Sequence, residues 1–441
     1  MPPMAPRTTD EALDLAAFID ASPSPYHAVR EVARRLEALD FREVRESEPW
    51  TLEHGRGYVV RGGSIIAWTR SAALKAHTGF RIAGAHTDSP NLRIKPRPDT
   101  GSAGFRQLGV EVYGGVLLNS WLDRDLGLSG RVFLRGDERP TERLFRLDRA
   151  LCRVPQLAIH LDRDIHKDGL KLNKQQHMAP ILGLANDDER GFRELVAEEL
   201  GVAPDAILAW DVMTHDLTPS GLLGDGDVFL AAPRLDNLGS CHGALRALGR
   251  ALDRAPEQAT ETSCVLSFFD HEEVGSGSSR GAESPVLRDV LERLVIAGGG
   301  TREDLHRALA VSLCVSMDMA HATHPNYVSR HEPDHRLHMN AGPVIKINAN
   351  QRYATEGSSE AWFQTACERA DVPYQRWVNR TDLGCGSTIG PITAARLGVS
   401  TVDVGSAMLS MHSARELAGS HDPELMVRAM QSFFTEATLA P

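Results

Sequence analysis

The sequence predicts an α/β protein: a mixed, mostly parallel sheet flanked by helices, with a β-rich domain inserted into it. Three observations lead there. Helices followed by strands at the start, and helix–strand alternation after Asn237, indicate helices layered over a largely parallel sheet. Between about Arg97 and Ala231 strands and turns take over. Hydrophobic residues make up 42% and charged residues 24% of the 441, enough apolar material for a sizeable core. The economical division is one α/β domain built from residues 1–96 plus 232–441, with an inserted β-rich domain at 97–231.

In chain order, residues 9–20 and 26–40 are predicted helices. In the second, Val29, Val32, Leu36 and Leu39 recur every three to four positions. The SPSP run at 22–25 breaks the chain between them. Apolar runs at 57–62, 64–70 and 80–85 predict strands. Segments 109–122, 130–136, 154–161 and 227–233 predict the strands of the insertion, with polar stretches such as 166–177 between them. Thereafter helices are expected at 243–252, 286–295, 360–370 and 393–398, alternating with strands at 263–269, 308–317 and 401–405.

Charge and composition exclude several classes. With 48 Lys+Arg against 59 Asp+Glu the net charge is −11, which argues against a nucleic-acid partner. No apolar run approaches the roughly 18 residues of a membrane span. The first twenty residues lack a signal peptide's order, because Asp10, Glu11 and Asp14 interrupt them. The six cysteines are scattered without a C-x-x-C pair, which suits reduced thiols in the cytoplasm. Eighteen histidines are many for an ordinary core.

Five segments share a construction in which an apolar run delivers ionisable residues at its end. FRIAGA precedes His86 and Asp88, VFLAAPRL precedes Asp236, and SCVLSFFD precedes His271, Glu272 and Glu273. LAVSLCVSM precedes Asp318, and TVDVGSAMLSM leads to His412. In open α/β sheets the carboxyl ends of strands are where ligands bind, so these side chains could meet. Four carboxylates in one cleft would repel each other unless divalent cations are present. Oxygen and imidazole donors without thiolate suit zinc, cobalt or manganese, and two such ions would activate a shared water. Each piece alone has a plainer reading. H-x-D is common, Asp236-Asn237 could cap the following helix, paired glutamates are usually solvated, and His412 could open a helix.

Taken together, AGAHTDSPNLRIKP (83–96), RLDNLGS (234–240), FDHEEVGSGS (269–278), DMAHATHPNY (318–327), GPVIKINANQRY (342–353), GCGSTIGPITAARLG (384–398) and LSMHSARE (409–416) resemble the aspartyl aminopeptidase family. These are dinuclear zinc metallopeptidases of the zinc-aminopeptidase clan. The likeness runs in matching order from SPSPYHAV (22–29) onward. It implies a zinc-peptidase-like fold and two divalent ions, zinc first, with cobalt or manganese possible. It implies that His86 and Asp318 hold one ion, Glu273 and His412 the other, and that Asp236 bridges both. Glu272 becomes the general base for the water between the ions. Asp88 becomes the carboxylate that fixes the His86 tautomer.

The resemblance also concerns substrate and assembly. Lys346, otherwise read as a surface lysine, matches the position that faces an acidic substrate side chain, which implies short peptides with N-terminal Asp or Glu. His160, otherwise a strand histidine, matches a loop that reaches a neighbouring subunit's site. That implies dimers built through the insertion, assembled into a homododecamer. A related dinuclear hydrolase of broader specificity, or a non-catalytic assembly or cargo protein, are the alternatives. GSGSSRG (275–281) fails both phosphate-loop spacings. Cys385 lacks an acid–base pair beside it. The cluster His321, His324, His331, His335 and His338 invites a third metal, but a rim position for His324 and interfaces for the rest is simpler.

Overall fold

The computed structural model describes residues 9–51, 54–70, 78–185, 190–254 and 263–435. Residues 1–8, part of the segment read as lacking a signal peptide, lie outside them. The centre is a nine-stranded sheet. Its spatial order is Arg42–Glu43, Arg56–Arg61, Ser64–Thr69, Ser263–Phe269, Phe80–His86, Leu313–Met317, Ser400–Gly405, Val344–Ile347 and Gln375–Val378. The four strands Ser263–Phe269, Phe80–His86, Leu313–Met317 and Ser400–Gly405 run parallel to one another. Antiparallel pairings flank them on both sides. The sheet is therefore mixed, with a parallel middle whose carboxyl ends emerge along one edge.

The middle strands are buried throughout and mostly apolar because both faces are covered. Along Phe80–His86, Ala83 and Ala85 pack with Phe18, Leu36, Leu245 and Phe433 from helices on one face. Phe80 and Ile82 pack with Leu291, Leu305 and Ile389 from helices Val286–Ala297, Arg302–Ala310 and Ile389–Leu397 on the other. This is the alternation a strand's two-residue period requires.

A second sheet of six antiparallel strands takes the order Thr141–Cys152, Leu126–Leu134, Ile207–Asp216, Asn91–Ser102, Phe105–Tyr113, Ile181–Leu184. It has its own core, in which Leu92, Leu128 and Phe145 meet Phe192 and Val196 of helix Phe192–Leu200. Strand Asn91–Ser102 runs across the 96/97 position. A third sheet joins Gly221–Leu223, Phe229–Ala232, Glu416–Gly419, Ala407–Leu409 and Ala320–His321, and so ties the middle of the chain to its C-terminal part.

The strand expected at 308–317 begins only at Leu313, its first three residues closing helix Arg302–Ala310, and two other expected strands differ more. The run 109–122 is not continuous: its strand stops at Tyr113, Gly114 adopts φ +75°, and a 3-10 turn follows at Leu118–Trp121. Segment 154–161 forms an isolated bridge at Val154 and then a 3-10 turn at Ile159–Leu161. Pro155 has no N–H for a ladder, and Leu157, Ile159 and Leu161 stand exposed instead of alternating inward. No helix among the described residues is long and apolar enough to cross a membrane.

Candidate metal centre

Strand order brings the ionisable residues together. His86 is the last residue of its strand, and Asp318 directly follows Leu313–Met317. Glu272 and Glu273 open a 3-10 turn, Glu272–Val274, just past Ser263–Phe269. These three strands are parallel neighbours, so their ends meet. Asp236 and His412 arrive from the third sheet, after Phe229–Ala232 and Ala407–Leu409. Asp236 and Asn237 depart from helical dihedrals at the start of Leu235–Arg254, so Asp236 opens that helix without following its geometry.

Asp236 lies between the two imidazoles. Its Oδ1 is 3.3 Å from His86 Nε2 and its Oδ2 is 3.3 Å from His412 Nε2. His86 Nε2 is also 3.8 Å from Asp318 Oδ1 and 3.9 Å from Glu272 Oε2. His412 Nε2 is 3.3 Å from Glu273 Oε2. Donor atoms of His86, Asp236 and Asp318 lie within 4.8 Å of one another, and so do those of Asp236, Glu273 and His412. On the far side of each ring, Nδ1 donates to a carbonyl: Asp88 O for His86 and Gly115 O for His412, both at 3.0 Å. A carbonyl only accepts, so Nδ1 carries the proton and Nε2 is left facing carboxylates.

The charge balance is unusual. Burial opposes a charge on His86, but Asp236 and Asp318 hold its pKa well above the ordinary value. Burial likewise opposes His412, which Asp236 and Glu273 raise to about 10. Burial, with Asp318 and Asp236 nearby, pushes Glu272 up to about 8, and burial with Asp236 pushes Glu273 well above 4.5. The cluster carries more negative charge than its burial tolerates, so protons or cations must balance it.

Residues 18–434 match the model of a protein family described as aminopeptidase I zinc metalloprotease (M18). The chain belongs to the M18 aminopeptidase family. It is 52% identical over 423 residues to a probable M18 family aminopeptidase 2 of Streptomyces coelicolor, covering 95% of this chain and 96% of that one. A Mycobacterium tuberculosis protein of the same description is 51% identical over 425 residues, covering 96% and 97%. Among solved structures, one titled as a complex of Ape4 and Nbr1 aligns with a TM-score of 0.93 and 38% identity over 97% of this chain and 86% of that one. The S. cerevisiae mApe1 dodecamer aligns with a TM-score of 0.84 and 28% identity over 97% and 96%.

As an M18 aminopeptidase the protein is a metallopeptidase, and its residues fit the metal its family is named for. Asp236 Oδ1 and Glu273 Oε1 are buried and accept no hydrogen bond. Imidazole and carboxylate donors without thiolate suit zinc.

Further groups hold this M18 site in shape. Asp88 was expected to orient His86 through its carboxylate, but its backbone carbonyl does so, with Oδ1 at 3.4 Å. The carboxylate instead accepts the N–H groups of Glu272 and Glu273, at 3.1 and 3.2 Å, and the Tyr113 hydroxyl at 2.6 Å. Glu416, fully buried, accepts the backbone N–H of Asp236 at 3.1 Å and of His412 at 2.7 Å. Neither Tyr113 nor Glu416 was foreseen, since pairing with a backbone N–H or a remote carboxylate leaves no local motif.

Lys346 is buried, not on the surface. Its Nζ lies 3.6 Å from Asp318 Oδ2, donates to Met319 O at 3.3 Å, and sits 5.0 Å from the Tyr353 ring centre. His160 stands exposed in its 3-10 turn, and its described contact is local, with Arg163. His321, His324, His331, His335 and His338 form no metal-binding group among the described residues. His321, His324 and His331 instead line a cavity of about 300 Å³ with Tyr327, Arg330 and Trp377.

Proposed function

We propose that this M18 enzyme removes N-terminal Asp or Glu from short peptides, with a water activated between two divalent ions, zinc ahead of cobalt or manganese. The observation that carries this reading is Asp236, with one oxygen toward each imidazole while Glu272 stands beside the same cluster. His86 and Asp318 would hold one ion, Glu273 and His412 the other, and Asp236 both. Bound there, the ions supply Lewis acidity to the scissile carbonyl and acidify the shared water. Glu272 would take a proton from the attacking water and pass it to the leaving amine, a role its place beside His86 and Asp318 suits. Asp88 fixes the turn that carries Glu272.

Lys346 supports the acidic preference. Its ammonium is buried beside Asp318, and once that carboxylate is committed to an ion, the lysine needs another anion. His160 would come from a neighbouring subunit, in keeping with its exposed turn and its distance in sequence from the cluster. We assign 97–231 to an inserted domain for dimerisation and substrate gating, and the assembly to a homododecamer like that of the solved relative. Six free cysteines suit the cytoplasm. One observation favours a second reading. Lys346 also bonds Met319 O, so a purely structural lysine would leave an aminopeptidase of broader specificity.

Release of free Asp from an Asp-containing dipeptide, against its Leu counterpart, tests the proposal. Chelator is expected to abolish release, and zinc, cobalt or manganese to restore it. The Glu272→Gln protein is expected to keep both metal equivalents while turnover falls by roughly 100-fold or more. Chelator-insensitive release, or full turnover in Glu272→Gln, overturns it. Equal rates on Asp and Leu leave the broader reading.

A further inference from the structure

The segment between the second sheet and its next strand lies across the metal centre. Tyr113 ends strand Phe105–Tyr113, and its hydroxyl donates to Asp88, which in turn holds the backbone of Glu272 and Glu273. The next residue, Gly114, has φ +75°, and a Cβ there would lie 3.1 Å from Glu273 Cβ. A Cβ on Gly115 would lie 3.0 Å from His412 Nδ1, the atom that donates to Gly115 O. Leu117 N–H then donates to His412 O at 3.1 Å. Ser120 Oγ donates to Leu117 O at 2.6 Å and accepts Ala414 N–H at 2.9 Å. Ala414, two residues past His412, is buried in the second sheet's own core.

Most of these contacts converge on one half of the centre, and Asp88 alone also reaches the other, at His86 Nδ1. His412 is held by the strap on its ring, on its backbone carbonyl and through Ala414. Glu273 is held by close backbone packing and by the Tyr113–Asp88 pair. The Cβ placed on Gly115 would meet no atom of His86 or Asp318 within 4 Å. We propose that residues 113–120 are a positioning strap that presets Glu273 and His412 as a metal half-site, so that the second sheet is a structural part of the centre. Tyr113, Gly114 and Gly115 are its positioning residues. Glycine is required at 114 by conformation and at 115 by the space the imidazole occupies.

This inference rests on the two-ion reading, and zinc titration separates the two. Zinc is added to the metal-stripped full-length protein and followed by calorimetry, with metal content measured after dialysis. Wild type is expected to take two equivalents and His412→Ala one. In Gly115→Ala one equivalent should bind as in wild type and the other roughly 10–100-fold more weakly, the usual effect of losing a group that orients a ligand. Tyr113→Phe keeps the ring and removes only the hydroxyl, and is expected to weaken that equivalent and, through Asp88 and His86, the other as well. Two wild-type affinities in both variants overturn the strap, as does equal weakening of both equivalents in Gly115→Ala, which would mark a general structural defect. Wild type that takes a single equivalent, unaffected by His412→Ala, overturns the two-ion reading itself. Thermal melts of the metal-stripped proteins establish that each variant is folded before titration.

Discussion

At the scale of single residues, the site depends on which atom of each ring and carboxylate is already engaged. His86 and His412 both spend Nδ1–H on carbonyls, which turns both Nε2 atoms to the same aspartate. Glu416 fixes the backbone on either side of that arrangement. Glu416→Ala would strand two buried N–H donors, each costing about 1–3 kcal/mol. Chemical denaturation of the metal-free protein should show that loss, and metal content should fall with it. Lys346→Ala is expected to cut the preference for Asp over Leu substrates by roughly 30-fold or more, as removal of one partner from a buried charge pair does. An unchanged ratio of kcat/KM values would assign Lys346 to Asp318 alone. The members of the ionisable cluster were legible in the sequence because five apolar runs each led to one or more of them. The buried position of Lys346 was not, since an alternating four-residue strand reads the same at an edge or under cover. The resemblance alone separated those cases.

At the scale of elements, helices and buried strands were the legible part. Helix Pro25–Glu37 follows the spacing of Val29, Val32 and Leu36, and Ser24 caps it where the proline–serine break was read. The same helix carries a titrating group. Burial, with Arg146 and His215 nearby, lowers the His27 pKa to about 4 from 6.5. The folded protein therefore keeps His27 neutral while the unfolded chain takes up a proton below 6.5. Stability contributed by the neutral ring is complete above pH 6.5 and is lost as pH falls towards 4, up to about 3 kcal/mol. In His27→Gln, denaturation measured from pH 7 to 4 should show a shallower loss than wild type. Segments 109–122 and 154–161 misled for different reasons. In the first, Gly114 takes a left-handed turn that apolar neighbours conceal. In the second, the apolar side chains at 157, 159 and 161 face outward, so their run marks no core strand.

At the scale of the whole molecule, two separately cored sheets meet over one cluster of imidazoles and carboxylates. The exposed turn at Ile159–Leu161 belongs to the second of them, and Leu161 is 76% exposed. If that turn seals contacts between subunits, Leu161→Asp should shift sedimentation from a large assembly to smaller species and raise KM more than it lowers kcat. An intact assembly would place the subunit contact elsewhere. The separation into a mixed, mostly parallel sheet and a second, β-rich part could be foreseen from the change in pattern near Arg97. The third sheet could not, because it pairs Phe229–Ala232 with Glu416–Gly419 across nearly two hundred residues.

The spread of the ligands has a consequence for how the enzyme is made. On the proposed set they extend from His86 to His412, and the last imidazole comes from a segment that must pair with Glu416–Gly419. A ribosome that has translated the first 400 or so residues has produced most of the fold's strands but only one imidazole of the pair. On that set, peptide cleavage would wait until His412 has been made and its segment has paired with Glu416–Gly419.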